Sequence, residues 1–422
     1  MSTVLDDLEW RGLVAQTTDR DALRAALAAG PVVAYCGFDP TAPSLHIGNL
    51  VQILTLARLQ RAGHRPVGVV GGATGLIGDP KMTGERTLND PQVVAGWVER
   101  IRQQIAPLLS FEGPAAATMV NNLDWTSELS AIAFLRDIGK HYRLGTMLAK
   151  DTVARRLSSE QGISFTEFSY QILQGMDFLE LFRRYGCRMQ TGGSDQWGNL
   201  TAGLDLIHKV EGVSPHALAT PLITKADGTK FGKTESGTVW LDPELTSPYA
   251  FYQFWINADD RDIPTYLRIF SLRPRSELDL LLTATDERPQ AREAQRELAF
   301  ELTSLVHGPE QAQAAVDASR ALFGQGELSA LPVSTLEAAL LETSWAPGSE
   351  SGSFVDHLVA TGLAPSRGAA RRTVGEGGAY LNNIKITDAE ALPAPGDWLH
   401  GRWLVLRRGR RVVAGVRKDP SS

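Results

Sequence analysis

The strongest constraint on this chain is an alternation. Through the first half, short strand-forming runs take turns with longer stretches of helical periodicity. PVVAYCGF (31–38) is the first such run. Leu50, Ile53, Leu54 and Ala57 follow at the i, i+3, i+4, i+7 spacing of one helix face. RPVGVVGG (65–72), AATMVNN (116–122) and CRMQTGG (187–193) supply further strands. Strands separated by helices predict a parallel sheet covered on both faces. In such sheets a ligand sits at the carboxyl ends of the strands. The glycine-rich exits of these runs fall at those ends.

The length, 422 residues, allows two or three domains. Residues 1–225 carry the alternation. Residues 226–325 turn helix-rich, with Ala, Glu, Arg and Leu prominent from Arg268 to Leu322. Residues 326–352, ending in PGSESG, are expected as a linker. Residues 353–422 form a compact module: two short helices (354–361 and 366–375), then strands around AYLNN and RWLVLRRG. Hydrophobic content of 43% and charged content of 21% are those of a soluble globular protein. No run of 18 apolar residues and no secretory signal is present, so no membrane association and a cytoplasmic location are expected. The two cysteines, Cys36 and Cys187, exclude a disulfide framework and a cysteine-based zinc site. Charge is uneven. From Ser353 onward there are eleven Lys and Arg against six Asp and Glu, so the first 352 residues hold about −11 of the overall −6. A basic tail on an acidic body suits a polyanion at the C-terminal end, or serves only solubility.

Five stretches carry the chemistry. YCGFDPTAPSLHIGNL (35–50) runs from a strand through a turn into a helix starting near His46. Free N–H groups and the dipole at such a start suit phosphate. HIGN as four letters alone says little; its place at the first strand exit gives it weight. GGATGLIGDP (71–80) has four glycines beside Asp79, whose carboxylate suits an ammonium; alone it could be an ordinary turn. In FSYQILQGMDF (168–178), Tyr170, Gln174 and Asp177 share one helix face. They could surround a polar ligand or form a solvated stripe. GGSDQWGN (192–199) adds Asp195 and Gln196 after the fourth strand. DGTKFGKTESG (227–237) resembles a Walker loop but misses its first glycine, since Asp227 stands there. It places Lys230 and Lys233 in a glycine-bearing turn, each able to reach phosphate. There is no GxSxG elbow, no HExxH and no Cys/His metal cluster. The site is therefore built for positioning and charge stabilisation, without a protein nucleophile or a protein-held metal.

HIGN, GGATGLIGDP, FTEFSYQILQGMDF, GGSDQWGN and ADGTKFGKT, in this order, resemble the bacterial tyrosyl-tRNA synthetases, a class I family. The resemblance spans essentially the whole chain. It implies a Rossmann-like doubly wound α/β catalytic domain, then an α-helical anticodon-side domain and a small α+β S4-like RNA-binding domain. It implies tyrosine, ATP with Mg²⁺, and tRNA(Tyr) as substrates, and a homodimer. His46, Gly48 and Asn49 match the HIGH signature that binds ATP, together with Gly37 and Asp39. Thr41 and His46 match the positions holding the γ-phosphate in the transition state. Lys230, Lys233 and Thr234 match the KMSKS loop over the pyrophosphate. Tyr35 and Asp177 match the pair contacting the tyrosine hydroxyl. Asp79, Tyr170 and Gln174 match the residues around the amino group. Gln196, Asp195 and Gly193 match positions beside the carbonyl, the ribose and the nucleotide.

Asn49 departs from the second histidine of HIGH but still donates a hydrogen bond. KFGKT keeps the lysine spacing of KMSKS. KMTGER (81–86), with Lys81 and Arg86 at its ends, is shorter than the common form; Arg86 is carried over as catalytic. Arg367, Arg371 and Arg372 on a helix, and Arg407, Arg408, Arg410 and Arg411 on the last strands, are the expected tRNA contacts. A tryptophanyl-type synthetase is the nearest alternative, but an indole offers only a donor, whereas a Tyr/Asp pair suits a phenol. A non-catalytic RNA-binding relative would have lost His46, Lys230, Lys233 or Asp177, and all four are present.

Overall fold

The computed structural model describes residues 3–80, 88–160, 162–229, 231–234, 237–409 and 412–418, with the backbone alone at 151, 152, 233 and 234. Two compact units emerge: Met1–Asp242 with Ala258–Ala294, and Pro243–Asn257 with Gln295–Ser422.

The first unit is built on a six-stranded sheet. Its strands are β1 (Gln16–Thr17), β2 (Val33–Phe38), β3 (Arg65–Val70), β4 (Thr118–Asn121), β5 (Cys187–Gly193) and β6 (His216–Thr220), in the order β1-β6-β5-β2-β3-β4. The pairs β2–β3, β3–β4, β2–β5 and β5–β6 are parallel, and β1 lies antiparallel on β6. The chain steps outward from β2 to β4, then restarts at β5 on the other side of β2. That reversal opens a crevice at the carboxyl ends of β2 and β5.

Helix α1 (Ile47–Arg61) follows β2, α2 (Phe165–Tyr185) precedes β5, and α3 (Trp197–Glu211) follows it. Ser164 caps α2 by accepting from the Glu167 N–H, and Gly186, left-handed at φ 65°, ends it. Apolar positions of α2 and α3 pack with Tyr35, Val67 and Val120 of the strands into one core. Tyr170 and Asp177 of α2 are 6% and 4% exposed, so their stripe faces inward and is no solvated face. Buried polar groups of this kind must find partners or a ligand.

The helical residues expected over 226–325 are shared between the units. Helix α4 (Ile263–Phe270) belongs to the first. Guanidiniums of Arg11, Arg58 and Arg61 donate to carbonyls of Arg268, Ile269, Ser271, Leu272 and Arg273 at its C-terminal end. These arginines satisfy carbonyls that a helix end leaves without partners.

The second unit contains helices Pro248–Ile256, Pro309–Leu322 and Val333–Leu341, most of Glu293–His307, and a five-stranded sheet. Residues 326–352, expected as a linker, instead hold the helix Val333–Leu341 and a strand, Ser344–Gly348. That strand is an edge, parallel to Val412–Lys418. Its proline and glycine read as loop, yet proline is tolerated where one side of a strand needs no partner. The expected module follows: helices Phe354–Ala360 and Arg367–Gly375, then strands Ala379–Leu381 and Trp403–Arg408 around a core including Phe354, Leu358, Trp398 and Leu404.

Candidate active site

The crevice of the first unit is lined by residues from the ends of β2, β3, β4 and β5 and from α2. Its inner end is formed by Tyr35 and Asp177. Tyr35 is 2% exposed, and its ring packs on Phe178 with centroids 5.0 Å apart. Its hydroxyl has no hydrogen-bond partner among the described residues. Burial, and then the Asp177 charge, push its ionisation well above the usual phenol range. Asp177 accepts from Trp125 Nε1 and Asn122 Nδ2, both at 2.9 Å. Burial raises its carboxyl to about 7, against the opposing pull of those two donors. An unpartnered hydroxyl and a doubly supported carboxyl are what a ligand hydroxyl needs.

A polar chain leads outward. Asn122 also donates to Thr74 Oγ1 at 3.0 Å. Thr74 donates to Asp39 Oδ1 at 2.6 Å, and Tyr170 donates to Asp39 Oδ2 at 2.6 Å. The Tyr170 proton is thus committed, which leaves its oxygen as an acceptor toward the crevice. Burial, then Asp39, raise the Tyr170 phenol well above its ordinary value. Gln174 Oε1 is buried and has no partner among the described residues. Asp79 accepts from Gln196 Nε2 at 3.2 Å and from Asn199 Nδ2 at 3.3 Å. Gln196 also donates to Asp195 at 3.3 Å. Lys150 donates to Asn199 Oδ1; burial lowers its pKa, with Asp79 and Asp195 pulling the other way.

The outer end is the α1 start. His46 caps α1: its Nδ1 accepts from the Gly48 N–H at 3.0 Å, and the His46 N–H donates to Asn49 Oδ1 at 3.0 Å. An accepting Nδ1 carries no proton, so the ring's proton sits on Nε2. A Cβ on Gly48 would lie 2.8 Å from the His46 ring, so only glycine permits this ring position. A Cβ on Gly37 would meet nothing within 4 Å, so that strand end stays open. On Gly193 it would lie 2.5 Å from Asp195 Oδ1. Thr41 is exposed beside this turn, its N–H donating to the Asp39 carbonyl at 2.9 Å.

The KFGKT segment is tied to the same helix start. The Ile47 N–H donates to the Val239 carbonyl, and the Val239 N–H to the Gly232 carbonyl, both at 3.0 Å. Phe231 is buried, stacked on Phe270 and edge-on to Tyr266 of α4, each at 5.2 Å. Lys233–Thr234 and Gly237–Thr238 pair as a short hairpin. Lys81, Arg86, Lys230, Arg410 and Arg411 lie outside the described residues, as do the side chains of Lys233 and Thr234.

Most residues singled out from the sequence thus meet in one crevice. Thr74, Asn122, Trp125, Lys150 and Asn199 complete it without having been singled out. Only the glycine-rich setting of Thr74 and the QWGN context of Asn199 hinted at them. The C-terminal arginines are more varied. Arg367 and Arg371 are paired with Asp356 and Glu390, and Arg372 is exposed. Arg408 donates to the Leu363 carbonyl. Arg407 is 8% exposed and lies 4.1 Å over the Tyr380 ring, so it packs as much as it presents charge.

Comparison with known proteins agrees with this geometry. A family model described as class I tRNA synthetases of the W and Y type matches residues 27–324. A second, described as a tyrosine–tRNA ligase SYY-like C-terminal domain, matches residues 343–413. The chain is 66% identical to the tyrosine–tRNA ligase of Streptomyces griseus over 421 residues, 100% of both chains. It is 67% identical to that of Streptomyces coelicolor over 417 residues, 99% of each chain. Among solved structures, a C-terminally truncated mitochondrial tyrosyl-tRNA synthetase of Aspergillus nidulans matches with a TM-score of 0.70 at 30% identity. That match covers 76% of this chain and 95% of that one. This chain belongs to the class I tyrosyl-tRNA synthetase family.

Proposed function

We propose that the chain activates L-tyrosine with ATP and transfers it to the 3′ end of tRNA(Tyr), with the crevice residues divided as follows. The observation that carries this reading is the unpartnered Tyr35 hydroxyl beside Asp177. A phenol donates to Asp177 and accepts from Tyr35. Phenylalanine offers Tyr35 no acceptor and Asp177 no donor, and an indole N–H offers Tyr35 no acceptor, so either leaves the buried Tyr35 hydroxyl unpaired. At the other end the tyrosine ammonium has three N–H groups. Asp79, the Tyr170 oxygen and Gln174 Oε1 supply three acceptors. Gln196 then lies beside the carboxyl group.

The tyrosine carboxylate oxygen forms a bond to the α-phosphorus of ATP as the bond from that phosphorus to the bridging oxygen breaks. Pyrophosphate leaves and tyrosyl-adenylate remains. Charge builds on the departing phosphates, where the α1 start, His46 Nε2–H, Thr41 and the lysines of KFGKT stabilise it. Gly37, Gly48, Asn49, Gly193 and Asp195 hold the nucleoside and phosphates, whereas the Asp39 carboxylate, expected with them, accepts from Thr74 and Tyr170 at the ammonium end. Mg²⁺ travels with the nucleotide phosphates as part of the substrate. A terminal hydroxyl of the tRNA then attacks the activated carbonyl and AMP leaves. The C-terminal arginines contribute salt-dependent phosphate contact. A cytoplasmic location is part of this proposal, by analogy with the bacterial Streptomyces relatives; no helix among the described residues is long and apolar enough to cross a membrane.

The proposed homodimer face takes in Ile132, Leu135, Leu144 and Phe165, which stand 54–72% exposed. Sedimentation of Leu144→Asp as a monomer is expected, and an unchanged dimer counts against that face. Charging of tRNA(Tyr) with labelled tyrosine, dependent on ATP, tests the reaction; charging with tryptophan instead would overturn it.

A further inference from the structure

We infer that Thr74 is a positioning residue that couples the phenol-reading and ammonium-reading ends of the pocket and so contributes to selection of the tyrosine hydroxyl. The inference rests on the tyrosine reading above.

It follows from the direction of each hydrogen bond. The Ala73 N–H donates to Asn122 Oδ1 at 2.7 Å, which fixes which end of that amide is the oxygen. Asn122 Nδ2 therefore has two protons to place. One goes to Asp177 Oδ2 at 2.9 Å, the other to Thr74 Oγ1 at 3.0 Å. Thr74, accepting there, has its single proton left for Asp39 Oδ1 at 2.6 Å. The other Asp39 oxygen takes the Tyr170 proton at 2.6 Å. The chain thus runs in one direction from Asn122 to Asp39, and Asn122 orients the carboxyl that meets the phenol. Tyr170 at its far end is held with its oxygen toward the ammonium.

Thr74 is 2% exposed and Asn122 1%, so bulk water does not substitute for either link. Space is also reserved for the central bond. A Cβ on Gly71 would lie 2.1 Å from Asp39 Oδ1 and 2.3 Å from Thr74 Oγ1. Removing the Thr74 hydroxyl strands an Asn122 proton and frees that amide to turn away from Asp177. It also takes from Asp39 one of the donors that hold it against Tyr170.

The test is ATP–pyrophosphate exchange with full-length protein, comparing tyrosine and phenylalanine for wild type, Thr74→Val, Thr74→Ser and Gly71→Ala. Thr74→Val keeps the shape and loses the hydroxyl. Its kcat/KM for tyrosine is expected to fall about tenfold, the size of one buried hydrogen bond left unmade, mainly through KM. Phenylalanine, which shares the ammonium end but does not use Asp177, should lose no more than about threefold, so the ratio falls at least about threefold. Thr74→Ser should restore the ratio to within about twofold of wild type. Gly71→Ala, which keeps the hydroxyl but wedges the Asp39–Thr74 bond, should lower the ratio in the same direction; it decides the matter if Thr74→Val does not fold. Adding Tyr170→Phe completes a cycle. In wild type its penalty should differ between the two amino acids, and in Thr74→Val the two penalties should be equal. Equal losses for both amino acids in Thr74→Val, or Thr74→Ser as damaged as Thr74→Val, would overturn the coupling. Absence of tyrosine-dependent exchange in wild type would instead overturn the tyrosine reading itself.

Discussion

Replacing Tyr35 by phenylalanine should move stability and specificity in opposite directions. The ring of Tyr35 is packed against Phe178 at 5.0 Å, and the phenylalanine ring would keep that contact. The only loss is a hydroxyl that is buried without a partner among the described residues. Leaving such a group unpaired costs about 1–3 kcal/mol, so its removal should stabilise the ligand-free protein by roughly 1 kcal/mol. For a unit of this size that is a rise of about 2 °C in Tm. With tyrosine bound, the same hydroxyl donates to the substrate oxygen. Its loss removes one neutral hydrogen bond of about 1 kcal/mol, a fall of about fivefold in kcat/KM for tyrosine. Phenylalanine as substrate leaves the hydroxyl unpaired before and after binding, so its kcat/KM should not change. Scanning calorimetry and pyrophosphate exchange with both amino acids measure the three quantities. A lower Tm, or equal losses for tyrosine and phenylalanine, would mean that Tyr35 only packs.

Three further outcomes are expected. Asp177, with a carboxyl near 7, must be ionised to accept the phenol proton, so the KM for tyrosine should rise about tenfold between pH 8 and pH 6; a flat profile refutes that role. The same raised pKa means that this group costs the ligand-free protein folding stability as pH rises from 3.8 to about 7, the reverse of a salt-bridged carboxylate. Lys233→Ala should slow single-turnover adenylate formation at least about a hundredfold while tyrosine affinity stays within about twofold, since the lysine acts as pyrophosphate departs; weakened tyrosine binding with an unchanged rate contradicts it. Truncation after residue 342 should spare adenylate formation and abolish tRNA charging. The cut belongs there and not at 352, because Ser344–Gly348 pairs with Val412–Lys418. Charging at full rate by the truncated protein refutes the role of the C-terminal region.

Much of this was legible in the sequence because the signals are local. The strand exits, the helix start near His46 and the shared face of Tyr170, Gln174 and Asp177 are each marked by residues within a few positions of one another. What stayed hidden is held by contacts between distant segments. Asn122 reaches Thr74 and Asp177 across separations of 48 and 55 residues, and Trp125 reaches Asp177 across 52. Asparagine and tryptophan after a strand carry no pattern that foretells such pairing. The inward orientation of the α2 stripe was likewise undecided, since a polar stripe at helical spacing suits solvent as well as a pocket. The misreading of 326–352 has a different cause. SWAPG has turn composition, and only its parallel register on a strand nearly seventy residues later, Ser344 opposite Ala414, makes it a strand.

The central claim is that Tyr35 and Asp177 read a phenol. ATP–pyrophosphate exchange on the full-length protein with tyrosine, phenylalanine and tryptophan in parallel tests it most directly. Rapid exchange is expected with tyrosine, and a kcat/KM lower by about a hundredfold for the other two, because each leaves the buried Tyr35 hydroxyl unpaired. Exchange with tryptophan or phenylalanine at a rate comparable to tyrosine would contradict it.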